Sequence, residues 1–150
     1  MVLNQLIMRK ILYIIAAAAC LLTSCKKEMT LEEKFTGDWH CTASSVDAEI
    51  YVTFTAENTF TLYQQIGEGA YRVYNGTWSL EGTKLSGKYN DGTAWASGYE
   101  VASSDDDTLV LTAEGISETY SRVSGGIPEE VLKSCVTVVK SEDTATVPFL

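Results

Sequence analysis

The sequence predicts an all-β domain: an eight-stranded, antiparallel, up-and-down barrel followed by a C-terminal tail. Three observations lead there. From residue 36 onward the chain is rich in Thr, Tyr, Val and Trp, residues that suit a pleated, half-buried surface. Gly, Asn and Asp recur between those runs as turn formers, while Pro occurs only at 128 and 148. No long segment carries a helical period, and short strands at regular spacing make a sandwich or a barrel. Closure of the sheet removes its edges, which makes the up-and-down barrel the simplest topology.

Taken in order, Leu31 to Phe35 reads as a single helical turn entering the barrel. The first strand is Asp38 to Ser45. The second is Glu49 to Thr55, with Ile50, Val52 and Phe54 on one face, and the third is Thr59 to Gln65, with Phe60 and Leu62 on one face. Gly67-Glu68-Gly69 breaks the chain. The fourth strand is Ala70 to Leu80, and Gly76 in its middle predicts a bulge or sharp bend. Glu81-Gly82 is a tight-turn signal before the fifth strand, Lys84 to Asn90. The sixth is Thr93 to Val101, with Trp95, Tyr99 and Val101 on one face. Ser103 to Asp107 is a polar loop, Thr108 to Ala113 the seventh strand, and Ser117 to Val123 the eighth, with Gly115 at the turn between them. In the tail, Ile127 to Leu132 predicts a short helical turn with Pro128 near its start. Cys135 to Val139 is β-prone, and Val147 to Leu150 is apolar and expected to pack on the body.

The N-terminal segment follows different rules. Arg9 and Lys10 give a positive region, and Ile11 to Leu22 is an apolar run too short for a spanning helix, which needs about 20 residues. Leu22-Thr23-Ser24-Cys25 then resembles a bacterial lipobox. That resemblance implies cleavage before Cys25, a diacylglycerol on its thiol and a palmitate-class acyl chain on its amine. Two or more chains anchor a protein stably. Cys20, preceded by Ala17-Ala18-Ala19, is a weaker second candidate because it lacks the leucine three residues upstream. The chain therefore divides into residues 1–24 as a lipoprotein signal peptide, 25–34 as a tether, and 35–150 as the barrel domain with its tail. No Asp follows Cys25, which favours the outer membrane; the leaflet stays open.

The chain carries 11 Lys+Arg against 20 Asp+Glu, a formal charge of −9. That acidity argues against nucleic acid and against anionic membrane surfaces. It suits a soluble body held off a membrane by a lipid anchor.

The fragment Phe35-Thr36-Gly37-Asp38-Trp39 resembles the G-x-W motif of the first strand of lipocalins and bacterial lipocalin-like lipoproteins. Gly76-Thr77-Trp78-Ser79-Leu80, followed by Gly82 and Leu85, is similar to a mid-barrel pattern of the bacterial group. The resemblance covers roughly residues 35–123. It implies that Trp39 plugs the barrel floor with Arg122 packed over it. The chain is shorter than eukaryotic lipocalins and lacks their helix after the last strand.

Catalytic signals are poor, and no enzyme is expected. His40 is the one histidine, and its neighbour Cys41 points to the opposite strand face. There is no nucleophile elbow, phosphate loop, zinc spacing or cofactor motif. Asp105-Asp106-Asp107 lacks calcium-loop spacing and reads as a solvated turn. Export places Cys41 and Cys135 where disulfides persist, so a bridge stapling the tail to the barrel is expected. The inward positions Phe54, Phe60, Leu62, Trp78, Leu85, Tyr89, Trp95 and Tyr99 are the candidate ligand-lining set. An eight-stranded barrel either fills with side chains or holds one small ligand. Two functions therefore stand open: a binder of a small hydrophobic or amphipathic ligand, or a filled-barrel module that recognises a protein or glycan.

Overall fold

The computed structural model describes residues 28–140 and 150. The signal peptide, Cys25 and Val147 to Phe149 lie outside the described residues. The chain enters through α1, Leu31–Phe35. Thr30 caps it: its Oγ1 accepts from the Glu33 amide at 3.1 Å while Glu33 Oε2 accepts from the Thr30 amide at 2.8 Å. This reciprocal pairing satisfies two otherwise orphaned donors. The short helix ends by inserting Phe35 fully into the core.

Eight strands follow: β1 Gly37–Ala43, β2 Ala48–Phe54, β3 Thr59–Ile66, β4 Tyr71–Glu81, β5 Lys84–Tyr89, β6 Tyr99–Ser104, β7 Thr108–Ala113 and β8 Ile116–Arg122. Each pairs antiparallel with the next, and β8 pairs back onto β1, so the ring closes in up-and-down order. The turns supply the backbone that closure needs. Between β7 and β8, Glu114 and Gly115 both have positive φ, 52° and 81°, as a two-residue hairpin loop requires. The period of two then sets which residues of each strand point inward.

Gly76 departs from the expectation of a bulge. It sits in unbroken register, opposite Phe60 on β3 and Tyr89 on β5. A Cβ there would collide with the Lys88 carbonyl and crowd the Phe60 ring. The glycine serves close approach and not a bend. The sixth strand also differs: β6 begins at Tyr99 and not at Thr93. Residues before it form an irregular crossing with one bridge, Lys88 to Ala94. The Trp95 amide donates to the Gly87 carbonyl at 3.0 Å, and a Cβ on Gly87 would strike the Trp95 indole. Packing of that indole over the glycine replaces regular pairing.

The tail forms α2, Glu129–Lys133, and β9, Cys135–Thr137. β9 pairs parallel with β4 over Tyr71 to Val73, on the edge that β5 leaves free. Tyr71 and Val73 take the outward parity of β4 yet are 9% and 7% exposed, because the tail covers them. The expected Cys41–Cys135 bridge is not formed; both are free thiols. Cys41 faces the barrel interior on β1, whereas Cys135 lies on β9, with β4, β3 and β2 between. Four strand spacings are roughly 19 Å along the sheet, beyond the roughly 7 Å that two bridged Cα atoms span.

Candidate binding site at the barrel mouth

The barrel has a sealed end, a packed middle and an open mouth. At the sealed end Trp39 is fully buried, and its Nε1 donates to the Phe35 carbonyl at 2.9 Å. Arg122, directly across on β8, lies over the indole with Cζ 4.2 Å from the ring centroid. Its Nη1 donates to the Thr36 carbonyl at 2.9 Å and its Nη2 to the Lys34 carbonyl at 2.7 Å, while Nε donates to the Asp106 carbonyl. One guanidinium thus ties α1, β1 and the β6–β7 loop together. Gly37, with φ at 133°, passes so close that any Cβ would collide with Nη1.

In the middle, the eight candidate lining residues Phe54, Phe60, Leu62, Trp78, Leu85, Tyr89, Trp95 and Tyr99 are all buried in one core cluster. They pack on one another. Phe60 meets Tyr89 and Trp95 edge-on at 5.7 and 5.1 Å, Trp95 meets Tyr99 at 6.1 Å, and Phe54 meets Trp78 at 5.9 Å. Edge-to-face pairs at these separations are the preferred geometry of aromatic packing.

Above the aromatics the interior turns polar. Glu118 is 6% exposed and accepts from Ser45 Oγ at 3.1 Å. Burial pushes its carboxyl above the ordinary carboxylate value. Cys41 beside it is pushed up to about 11 by burial and by the Glu118 charge. Tyr120 is fully buried next to both, and burial, with the neighbouring Cys41 and then Glu118, pushes its phenol up.

At the mouth, opposite Trp39, a cavity of about 420 Å³ opens between the β3–β4 loop and β9. Gln64, Ile66, Arg72 and Val136 line it, together with Glu68, Gly69 and Ala70 of the loop. Gln64 and Arg72 face each other across the β3–β4 pair on the inward parity. Gln64 is 2% exposed, whereas Ile66 and Val136 present about half of their surface to solvent. The Gln65 side chain donates to the Gly69 carbonyl at 2.5 Å and holds the loop in place. A wider hollow of about 490 Å³, lined by Leu85 and Tyr99, lies where β5, β6 and β7 separate. Among the described residues, Glu81, Glu100 and Glu114 give that hollow an acidic rim and Lys84 is its one cation.

His40 lies on the outer face. It stacks on Tyr51 at 4.4 Å, and its Nε2 is 2.6 Å from Glu49 Oε1. Asp105 is exposed and closes the β6–β7 turn by accepting from the Asp107 and Thr108 amides. Among the described residues no group of His, Cys, Asp and Glu is arranged to hold a metal ion.

A family model described as a lipocalin-like domain matches residues 24–111, more than half of the chain. The chain belongs to the lipocalin-like domain family. The matched span ends within β7, so β8, α2 and β9 of this lipocalin-like protein lie beyond it. Among solved structures, a lipocalin-like protein from Bacteroides uniformis is 18% identical over 60% of this chain and 99% of its own, with a TM-score of 0.49. A second Bacteroides uniformis protein, solved by NMR, is 13% identical over 62% of this chain and 92% of its own, also at 0.49. No curated protein matches the chain.

Sequence reasoning missed the mouth residues. Gln64 and Arg72 carried a readable signal: both are polar residues at inward positions of otherwise apolar faces. Val136 carried none, because its place in the cavity wall depends on β9 docking beside β4.

Proposed function

We propose that this lipocalin-like domain is a non-enzymatic, lipid-tethered binding protein that takes a small amphipathic ligand at the barrel mouth. The observation that carries this is the mouth cavity, which sets a guanidinium and a buried amide between two exposed aliphatic side chains while the deeper barrel is filled. Ile66 and Val136 offer apolar surface, contributing roughly 25 cal/mol per Å² buried before entropic costs. Arg72 offers a planar fork suited to a carboxylate, sulfate or phosphate head. Binding and not catalysis also fits the thiols. A nucleophilic cysteine needs a lowered pKa, and that of Cys41 is pushed up to about 11.

Cys25 would carry the anchor, placing the domain at the outer membrane. Growth with labelled palmitate tests this, with label expected on the native protein and lost in Cys25→Ala. The filled interior supports a second reading, an envelope module that meets a protein or glycan through its surface. Calorimetry with decanoate separates the two. Native protein is expected to bind, Arg72→Ala to bind at least about tenfold more weakly, and Arg72→Lys to fall between them. Absence of heat with the native protein, or equal affinity in all three, would remove the mouth site and leave the surface module.

A further inference from the structure

Ile66 and Ile116 continue the inward-facing rows of β3 and β8 one step above Gln64 and Glu118, the last residues of those rows that the barrel covers. Val46 joins them from the β1–β2 turn, where the Ser45 hydroxyl donates to Glu118 at 3.1 Å and ties the turn to β8. Ala48, at the start of β2, pairs with Ile66. β3, β2, β1 and β8 are neighbours in that order, so Val46, Ile66 and Ile116 form one arc around the mouth. Each leaves about half of its surface to solvent. Beside each stands an exposed carboxylate: Asp47 follows Val46, Glu68 follows closely on Ile66, and Glu114 precedes Ile116 across the hairpin glycine. The segments 44–48, 65–70 and 113–117 hold no Lys or Arg, and Arg72 is set one step lower, opposite Gln64.

We propose that this arc docks a basic amphipathic helix of a partner protein, the aliphatics taking its apolar stripe and the carboxylates pairing with its Lys or Arg. The spacing fits. Four neighbouring strands span roughly 14 Å along the rim, and apolar anchors at i, i+3 or i+4, and i+7 spread over about 10 Å of a helix. Charge decides among the occupants. A second copy of the chain would set carboxylates against carboxylates, and an anionic lipid surface would do the same. A neutral apolar partner would desolvate the carboxylates without pairing them. The membrane is also on the far side. The described chain enters at the sealed end, where Arg122 holds the Lys34 and Thr36 carbonyls, so an anchor at Cys25 would turn the mouth away from its own membrane. Neither Arg72 nor a small ligand is needed for this contact.

The probe is a dye-labelled helix of Leu and Lys, about four turns long, with Leu at i, i+3, i+4 and i+7. Its anisotropy with the full chain should report binding that weakens as salt rises, while the same helix with Glu for Lys should not bind. Joint replacement by Val46→Ser, Ile66→Ser and Ile116→Ser should weaken binding at least about tenfold, and so should Asp47→Asn, Glu68→Gln and Glu114→Gln together. All six positions are exposed, so both variants keep the fold. Glu57→Gln, Asp106→Asn and Asp107→Asn together remove the same charge at the sealed end. That end lies beyond a Debye length of roughly 10 Å from the rim, so this control should bind like native protein. An equal loss in the control would ascribe binding to net charge and overturn the rim site. No binding by native protein, or unchanged affinity in either rim variant, would overturn it as well. So would a native dimer in sedimentation that the rim variants dissolve, because a second copy would then own the arc. Arg72→Ala, which weakens decanoate binding, should not weaken the helix. A loss there would move the helix into the mouth cavity and overturn the arc, so the two sites are told apart.

Discussion

Arg122→Ala is expected to destabilise the barrel by about 4 kcal/mol, and the figure follows from the contacts of one side chain. Two partly buried hydrogen bonds run from Nη1 and Nη2 to the Thr36 and Lys34 carbonyls. Bonds from a charged donor contribute roughly 1.5–3 kcal/mol each, and partial exposure puts these near the lower end. The bond from Nε to the Asp106 carbonyl is exposed and adds little. Stacking over Trp39 at 4.2 Å adds about 1 kcal/mol. Arg122→Lys should recover less than half of the loss, because one ammonium cannot reach both carbonyls and cover the indole. Urea unfolding followed by tryptophan fluorescence measures all three proteins. A loss below about 1 kcal/mol in Arg122→Ala, or full stability in Arg122→Lys, would refute the clamp.

Gly87→Ala should destabilise by about 1–3 kcal/mol through overpacking, since the added methyl meets the Trp95 indole; a melting temperature equal to native would show that the indole moves aside at no cost. In the mature protein without reductant, Cys41 and Cys135 should both titrate with Ellman's reagent after unfolding. In the native state at pH 8, half-buried Cys135 should react before Cys41, whose pKa is pushed up to about 11. Absence of reactive thiols in the unfolded chain would restore the disulfide. Glu118 gives a pH dependence of definite sign. Its folded-state pKa is raised above the ordinary 4.5, so the native state holds that proton more tightly than the unfolded chain. Stability from this group therefore falls as pH rises from about 4.5 through the raised value. Glu118→Gln should flatten that slope in urea midpoints measured from pH 4 to 8, and identical slopes in the two proteins would contradict the buried carboxylate.

The ring itself was readable from the sequence because a closed antiparallel sheet writes its period of two directly into the residues. Ile50, Val52 and Phe54 on β2, or Phe60 and Leu62 on β3, declare their face without any partner. What escaped the sequence depends on contacts between distant segments. Trp95 reads as a strand residue from its neighbours, yet its indole lies over Gly87 and pulls the chain out of register. Gly76 looks like a bend until the Lys88 carbonyl and Phe60 ring beside it are seen. The disulfide was inferred from compartment and count, neither of which fixes the angular separation of β1 and β9 around the barrel. The mouth cavity was half legible, since Gln64 and Arg72 break an apolar parity, while Val136 enters only through the parallel docking of β9.

The most direct test of the mouth site is the amide spectrum of the labelled domain during titration with decanoate. Shifts concentrated at Gln64, Ile66, Arg72 and Val136, with Phe60 and Trp95 unmoved, are expected. Shifts centred on Phe60, Trp95 and Tyr99 would place the ligand among the core aromatics and contradict a filled barrel that binds at its rim.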